Sequence, residues 1–158
     1  MTNEEIKAYI SSHAPEATFD ETGEWLNITV DANSLKSLTT ALLGQPMEMN
    51  YLFNLTCVDW KNHLTMVYHL SSTIHRHPIV LKVNLDRNTP SIETLCFTWR
   101  TAEMLEREVF EMFGVQFLNH PDLRNLILEE ETPKGIDASK GYWPLRKDFE
   151  DPINMIKL

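Results

Sequence analysis

Two glutamates close together in the sequence, Glu106 and Glu108, are the first candidates for chemistry in this chain. Paired carboxylates can act as general acid and base when one of them has a raised pKa in a cleft. Successive residues of a helix point about 100° apart, so these two glutamates cannot share a proton by local geometry. We therefore favour a structural role, in which Glu106 is partly buried and pairs with a distant arginine. Arg124 and Arg146 are the candidate partners.

Two histidines, His75 and His77, are the second candidates. Residues two apart on a strand share a face, so the two imidazoles could bind zinc together. A zinc site needs at least three protein ligands, however, and no Cys, Asp or Glu stands close to them in the sequence. Arg76 between them also adds repulsion for a cation. We favour a polar turn and expect no metal site.

The two cysteines, Cys57 and Cys96, are too few for an iron–sulfur cluster, which needs four thiolates. We expect both to be reduced, buried thiols. The sequence contains neither a G-x-G-x-x-G fingerprint nor a Walker loop, so it shows no means of holding NAD, FAD or ATP. We therefore expect no cofactor and no catalytic residue on this chain.

The composition is that of an ordinary globular chain with an acidic balance. The chain has 158 residues, of which 42% are hydrophobic and 23% charged, and its net charge is −9. This charge argues against binding to nucleic acid or to an anionic membrane surface. No stretch approaches the roughly 18 apolar residues of a membrane span. The acidic start of the chain, residues 1–5, lacks the features of a signal peptide, and we expect a cytosolic location.

The elements that would position these residues predict an α+β fold. We expect a mostly antiparallel sheet of four to five strands, with helices packed on it and an irregular, extended C-terminal tail. Closely spaced strands favour antiparallel pairing, because a parallel crossover needs a dozen or more residues. Short helices are predicted after a capping box at Thr2–Glu5 and after a Ser34 cap, the second ending at a left-handed Gly44. Strands are predicted over Leu26–Val30, Tyr51–Trp60, Leu64–Ser72, Pro78–Leu85 and Ile92–Trp99.

The most regular pattern predicts a helix that Thr101 caps and Gly114 ends. Its apolar side would carry Ala102, Leu105, Val109, Met112 and Phe113. Arg107 stands four residues from both Glu103 and Glu111, which predicts ion pairs on an exposed outer face.

Beyond this helix the charged residues are interleaved with apolar ones. His120–Asp122 resembles the start of a short helix, Glu129–Gly141 is predicted to be an exposed loop, and Tyr142–Leu158 a tail that needs a surface. Mixed charges beside Leu and Phe are more typical of interface anchors than of a solvated face. We divide the chain into an α+β domain over residues 1–118 and a partner-wrapping segment over residues 119–158.

Three segments of the sequence, in order, closely resemble the 30-kDa subunit of respiratory complex I, the bacterial form of which is NADH:quinone oxidoreductase. The central strands also look similar, and the resemblance covers about residues 50 to 149. The segments are Glu106–Phe117, His120–Arg124 and Pro144–Phe149, with Val67–Leu70 and Leu81–Val83 in the central strands.

The resemblance implies a non-redox, peripheral-arm subunit of a proton-translocating complex. FMN, iron–sulfur clusters and quinone would lie on partner subunits, among them the 49-kDa-type quinone-site subunit and the cluster-bearing subunits. The subunit would brace them from the cytoplasmic side of the cell membrane, without a membrane span. The interface or structural residues it indicates are Glu106, Arg107, Glu108, His120, Asp122, Arg124, Pro144, Arg146, Lys147, Asp148 and Phe149.

The sequence also departs from the family pattern. Asn119 stands where the family usually has Gly, Asn125 where it has a second Arg, and Glu111 where it has Asp, and the connection from Leu128 to Pro144 is long. A homologous subunit of a membrane-bound nickel–iron hydrogenase or similar complex therefore stays open as the alternative. A stand-alone hydrolase or metal protein would need a site that the sequence does not show.

Overall fold

A five-stranded mixed sheet forms the centre of the fold, which is of the α+β class. The structure is a computed structural model that describes residues 1–129 and 141–149. The helices in these residues are α1 (Asn3–His13), α2 (Ala32–Leu43) and α3 (Ala102–Phe113). The strands are β1 (Thr18–Asp20), β2 (Leu26–Val30), β3 (Tyr51–Asp59), β4 (His63–Ser72), β5 (His77–Asp86), β6 (Ser91–Glu93) and β7 (Gln116–Leu118).

The strand order of the main sheet is β1-β2-β5-β4-β3. The strands β3, β4 and β5 pair antiparallel in chain order, which confirms the mostly antiparallel sheet that the spacing predicts. β2 instead lies parallel to β5, with Ile28 opposite Leu81, and β6 lies parallel to β7 in a separate two-stranded sheet. Each parallel pair is joined by a long connection that contains a helix, so the short-spacing argument does not apply to it.

One face of the sheet is covered and the other is open. Alternate residues of β4, from Leu64 to Leu70, and of β5, from Ile79 to Leu85, are buried in a single core that also takes in α1, α2 and α3. Their neighbours on the open face, such as Val67 and Lys82, are half-buried. This alternation is the pattern of an antiparallel sheet with one solvated face.

The N-terminal helices begin and end partly as predicted. At α1 the capping box is present: Thr2 accepts a hydrogen bond from the Glu5 amide, and the Glu5 carboxylate accepts one from the Thr2 amide. The prediction for α2 was wrong in detail, because Asp31 occupies the cap position and Ser34 lies inside the helix. Gly44 has φ −80°, so it is not left-handed either.

The predicted strand Ile92–Trp99 was wrong beyond its first residues, since β6 ends at Glu93. The amides of Thr98 and Trp99 both donate to the Leu95 carbonyl, which closes a turn. The Trp99 indole is buried and donates to the Met49 carbonyl at 2.9 Å. The apolar residues of this segment form a tight turn that packs in the core. β propensity does not distinguish such a buried turn from a buried strand, because both are rich in the same residue types.

The segments after β7 are turns held against the domain. His120–Asp122 does not begin a helix, contrary to the prediction. Residues 141–149 also form turns, which agrees with an irregular C-terminal segment. Most of the predicted loop Glu129–Gly141, and the tail beyond Phe149, lie outside the described residues, and the boundary at residue 118 stays a prediction.

None of the helices in the described part of the chain is long and apolar enough to cross a bilayer.

Candidate functional site

Helix α3 carries three buried charged side chains, Glu106, Arg107 and Glu111. Glu106 binds the 94–95 turn, and the other two bind adjacent parts of the segment over residues 124–128. The helix itself ends as predicted, with Gly114 in the left-handed region at φ 74° and its amide bonded to the Phe110 carbonyl. Thr101 stands at the cap position, but its hydroxyl donates to the Leu52 carbonyl of β3 instead of capping the helix.

Glu106 is fully buried and does not pair with Arg124 or Arg146, so that prediction was wrong. One carboxylate oxygen accepts the Leu95 amide at 2.7 Å, and the other accepts the Thr94 hydroxyl. Burial raises the pKa of Glu106 to about 7, although both hydrogen bonds lower it. These neutral donors stand where a cationic partner was expected, and they hold the 94–95 turn against the helix.

His120 holds the next turn against the same side of α3. Its side chain is wholly buried, and Nε2 lies 3.0 Å from the Glu103 carbonyl oxygen and 3.9 Å from the Glu106 carboxylate. Nδ1 accepts the Asp122 amide at 3.1 Å, which places the ring proton on Nε2, facing the carbonyl. The imidazole therefore acts as a fixed connection between the helix and the 120–122 turn.

Arg107 fastens the chain just beyond that turn. Its Nε donates to the Arg124 carbonyl at 3.0 Å and its second guanidinium nitrogen to the Asn125 carbonyl at 2.7 Å. Asp122 is a looser neighbour, with 3.9 Å between the charged atoms. A planar guanidinium with fixed donors suits two adjacent carbonyls better than an ammonium would.

Glu111 binds the amides of three consecutive residues. The Oε2 atom accepts Leu126 at 2.9 Å, Ile127 at 3.0 Å and Leu128 at 3.0 Å. The expected ion pairs of Arg107 with Glu103 and Glu111 are therefore wrong within the described residues. Arg107 and Glu111 instead bind backbone groups of an irregular segment. These groups have no hydrogen-bond partners in a sheet or helix, so side chains must supply them.

The C-terminal segment docks at the end of α3 through Trp143. The positive-φ residues Gly114 and Gly141 lie against the Trp143 ring so closely that a Cβ at either position would collide with it. Arg146 stacks 3.9 Å from the ring centroid and donates from Nε to the Phe113 carbonyl at 2.7 Å. Arg146 thus closes the end of the helix instead of balancing a carboxylate.

A second anchor of this segment is Asp59, at the end of β3. Arg87 binds both carboxylate oxygens, each at 2.9 Å, and the Lys61 and Lys147 amides bind at 2.7 and 2.9 Å. Arg87 also reaches Asp148 at 2.6 Å. The Arg87 hydrogen bonds hold the pKa of Asp59 far below its usual range.

The predicted residues therefore divide by exposure. Glu106, Arg107 and Arg146 are buried, and Pro144, Phe149 and His120 are half-buried as whole residues. Phe149 meets the Tyr142 ring edge-on, with centroids 5.2 Å apart. The exposed ones are Glu108, Asp122, Arg124, Lys147 and Asp148.

Sequence reasoning missed Asp59, Arg87, Thr94 and the role of Glu111. One signal was available for Asp59, because the alternation of Leu55 and Cys57 places it on the inward side of β3. No sequence pattern identifies the three backbone amides that Glu111 binds.

Metal-binding side chains are not grouped in the described residues, where no three His, Cys, Asp or Glu could hold an ion. His75 contacts the Pro46 carbonyl and His77 contacts Asn3, so the two rings engage different partners. Cys57 is a free, buried thiol whose pKa burial raises to about 12, and Cys96 is free and half-buried.

The sequence matches a known family over residues 28–153, described as respiratory-chain NADH dehydrogenase, 30 Kd subunit. The chain belongs to this family. It is 39% identical over 124 residues to a subunit of the NADH-quinone oxidoreductase of Moorella thermoacetica, covering 77% of this chain and 78% of that one. It is 35% identical over 123 residues to a subunit of the F(420)H(2) dehydrogenase of Methanosarcina mazei, covering 77% and 73%.

Two solved structures share the fold. The trypsin-resistant fragment of Nqo5 superposes with a TM-score of 0.69 at 22% identity, covering 78% of this chain and 100% of that one. A chain of the membrane-bound sulfane sulfur reductase, an archaeal respiratory membrane complex, has the same TM-score of 0.69 at 28% identity and covers 95% and 86%. The chain is thus a complex I-type subunit that works with other subunits of an oxidoreductase complex.

Proposed function

We propose that this chain is a non-redox, peripheral-arm subunit of a proton-translocating NADH:quinone oxidoreductase. It braces the cluster-bearing and quinone-site subunits while electrons pass from NADH to quinone, on the cytoplasmic side of the membrane. The observation that carries the proposal is the use of its buried charged residues. Glu106, Arg107 and Glu111 bind main-chain and hydroxyl groups of this same chain, within the described residues, and so fix irregular segments in one shape.

A fixed irregular surface is what a scaffold needs. Ordering a segment before it meets a partner removes part of the entropic cost of association. The exposed motif residue Arg124 lies on the segment that Arg107 and Glu111 hold, Asp122 on the turn that His120 holds, and Lys147 on the segment that Asp59 holds. Exposed charged side chains on a rigid support steer docking and exclude wrong partners, which is the proposed role.

A second candidate places the same fold in a related complex with a different electron donor. The relative from Methanosarcina mazei is named for F(420)H(2), and one structural neighbour belongs to a sulfane sulfur reductase. The same fold therefore occurs in complexes with other chemistry. A homologous subunit of such a complex, including a membrane-bound nickel–iron hydrogenase, is the alternative.

Purification of the tagged chain from its native membranes in mild detergent tests these proposals. Mass spectrometry that finds FMN-binding, cluster-bearing and 49-kDa-type subunits supports the NADH:quinone oxidoreductase. Recovery with nickel-site subunits, or with an F(420)H(2)-oxidising subunit, supports the second candidate. Recovery of the chain alone contradicts both.

The proposed absence of cofactors has its own test. We expect the isolated chain to bind no FMN, NADH or iron, because these belong to the partner subunits. Absorbance spectra and metal analysis after incubation with each compound would show a stoichiometric signal if this is wrong.

Arg146→Ala tests the role of the C-terminal segment in assembly. We expect weaker incorporation into the complex, because the variant loses the contacts of Arg146 with Phe113 and Trp143. Arg100→Ala, at an exposed position on the turn before α3, is the matched control. Normal incorporation of Arg146→Ala would contradict the anchoring role.

A further inference from the structure

An exposed tryptophan marks one end of the sheet. Trp60 follows β3 directly and is 55% exposed, although most indoles are largely buried. Its ring lies almost parallel to that of His63, with centroids 6.4 Å apart at 23°. The Lys147 Nζ lies 5.6 Å from the Trp60 centroid, within reach of a cation–π contact.

The buried carboxylate of Asp59 fixes the backbone on both sides of this ring. It accepts the amide of Lys61, which follows Trp60 in the hairpin, and the amide of Lys147 from the C-terminal segment. The Lys147 amide is thereby held by Asp59, which stands 88 positions earlier in the sequence and is only 3% exposed. The Trp60 ring and the two lysines form a preorganised surface, which we call the Trp60 patch.

The charge of the Trp60 patch is opposite to that of the chain. Arg87 pairs with Asp59 and Asp148. Two exposed lysines remain, Lys147 beside the ring and Lys61 next to Trp60 in the sequence, on a chain of net charge −9. Leu145, two residues before Lys147, is 55% exposed. Trp is enriched in binding hot spots, and charged side chains around such an anchor set partner choice by charge complementarity.

We propose that the Trp60 patch docks an acidic segment of a partner subunit that also presents an apolar side chain. The carboxylates of that segment would meet Lys61 and Lys147, and its apolar side chain would cover the face of Trp60. The inference rests on the proposed function only in taking the partner from the same membrane complex.

An anionic lipid surface is the competing occupant, and the charges disfavour it. Recognition of acidic lipids by basic side chains typically uses clusters of about four to eight Lys or Arg. The Trp60 patch has two exposed lysines, and two exposed acidic residues stand near it: Asp86 ends β5 opposite His63, and Asp148 follows Lys147. These carboxylates would face the lipid phosphates, whereas a short peptide can avoid them.

Site-specific crosslinking in the assembled complex tests the occupant. A photoreactive benzoyl-phenylalanine replaces Trp60 in one strain and Ile74 in a second, matched strain. Ile74 is 60% exposed in the turn at the opposite end of β4. After purification and irradiation, we expect Trp60→benzoyl-phenylalanine to crosslink one peptide of one identified subunit, with Asp or Glu beside the crosslinked residue. Crosslinks to lipid, to a peptide without carboxylates, or equally from both positions would overturn the proposal.

Charge reversal supplies an independent readout. Lys147→Glu is expected to lower retention of the chain on the complex about tenfold. The retention of this variant should also depend less on salt concentration than that of the wild type. Lys147→Arg is expected to stay within about twofold, because the positive charge remains. Equal retention of Lys147→Glu and Lys147→Arg would overturn the proposal.

Two further measurements separate the possible causes of failure. Urea unfolding of each purified variant is expected to match the wild type, because the Lys147 side chain is exposed and its amide anchor is unchanged. A complex that assembles normally with every Trp60 patch variant overturns the docking site and leaves the scaffold role intact. Failure of the wild-type chain to assemble overturns both.

Discussion

Arg107 and Glu111 lie one turn apart on α3, yet each side chain binds the loop over residues 124–128 rather than the other. Arg107 donates to the carbonyls of Arg124 and Asn125, and Glu111 accepts the amides of the next three residues. Oppositely charged side chains thus hold the donors and the acceptors of one irregular segment.

Arg107→Lys is expected to destabilise the chain by about 2 kcal/mol, because an ammonium cannot serve both carbonyls and leaves one buried acceptor unsatisfied. Urea unfolding measures the change, with Arg100→Lys as the exposed control. A difference below about 0.5 kcal/mol would show that the two carbonyls are equally well hydrated without the guanidinium.

Glu111→Gln is expected to cost about 2 kcal/mol, because the amide accepts weaker hydrogen bonds and presents an NH₂ group to backbone donors. Glu108→Gln, on the exposed side of the same helix, is the control and should leave the urea midpoint unchanged. Amide hydrogen exchange at Leu126, Ile127 and Leu128 should accelerate in Glu111→Gln alone. Unchanged exchange there would contradict the anchoring role.

Gly114→Ala is expected to cost about 3 kcal/mol, since the position has φ 74° and its Cβ would collide with the Trp143 ring. Gly44→Ala is the control, because its φ is −80° and the added Cβ meets the Ala41 carbonyl at 3.6 Å, an ordinary contact. A double-mutant cycle with Trp143→Ala isolates the collision. The cost of Gly114→Ala should fall in that background, and a constant cost would assign the whole effect to the backbone.

Glu106 gives the stability of the chain a particular pH dependence. Burial raises its pKa from 4.5 to about 7, so between these values the folded chain keeps a proton that the unfolded chain has released. This contribution is complete below pH 4.5 and is lost as the pH rises through 7. Relative to the wild type, Glu106→Gln should become more stable by about 3 kcal/mol from pH 4.5 to pH 8.

The carboxamide that Glu106→Gln introduces can still accept the Leu95 amide and donate to the Thr94 hydroxyl. Urea unfolding across this pH range makes the measurement, with Glu108→Gln as the control. If the difference in the free energy of unfolding between Glu106→Gln and the wild type did not change with pH, the raised pKa of Glu106 would be refuted.

Asp59→Asn is expected to destabilise the chain by about 3 kcal/mol at pH 7, because it leaves Arg87 without its buried partner. The low pKa of Asp59 means that its contribution is present above pH 4 and is lost as the pH falls further, so the two proteins should converge in acid. Asp148→Asn is the control. It touches the same arginine, but its side chain is 66% exposed, and a change within about 1 kcal/mol is expected.

The helices and strands could be predicted from the sequence where residues close in the sequence determine them. The end of α3 at Gly114, the capping box of α1 and the strand over Leu64–Ser72, which is β4, each depend on nearby residues alone, and each was predicted correctly. The parallel pairing of β2 with β5 was not predicted, because it depends on how distant elements cover one face of the sheet.

The site was only partly predictable for a related reason. The sequence identified Glu106 and Arg146 as unusual, but assigned them charged partners, since carboxylate–guanidinium pairs are the common solution for buried charges. The actual partners are a backbone amide, a backbone carbonyl, a hydroxyl and an indole ring. Backbone groups are present at every residue, so the sequence contains no mark of which ones are left unpaired.

The position of β5 between β2 and β4 has a consequence for the order of folding during synthesis. The antiparallel β3–β4–β5 unit needs only short loops, whereas β2 can pair with β5 only after residues 77–86 have been made. Until then the inward side chains Leu26, Ile28 and Val30 have no neighbouring strand to cover them on that side. The first third of the chain therefore cannot complete its core until the second third, which contains β5, has been synthesised. A ribosome-bound fragment that ends before His77 should contain α1 and α2 without a stable core.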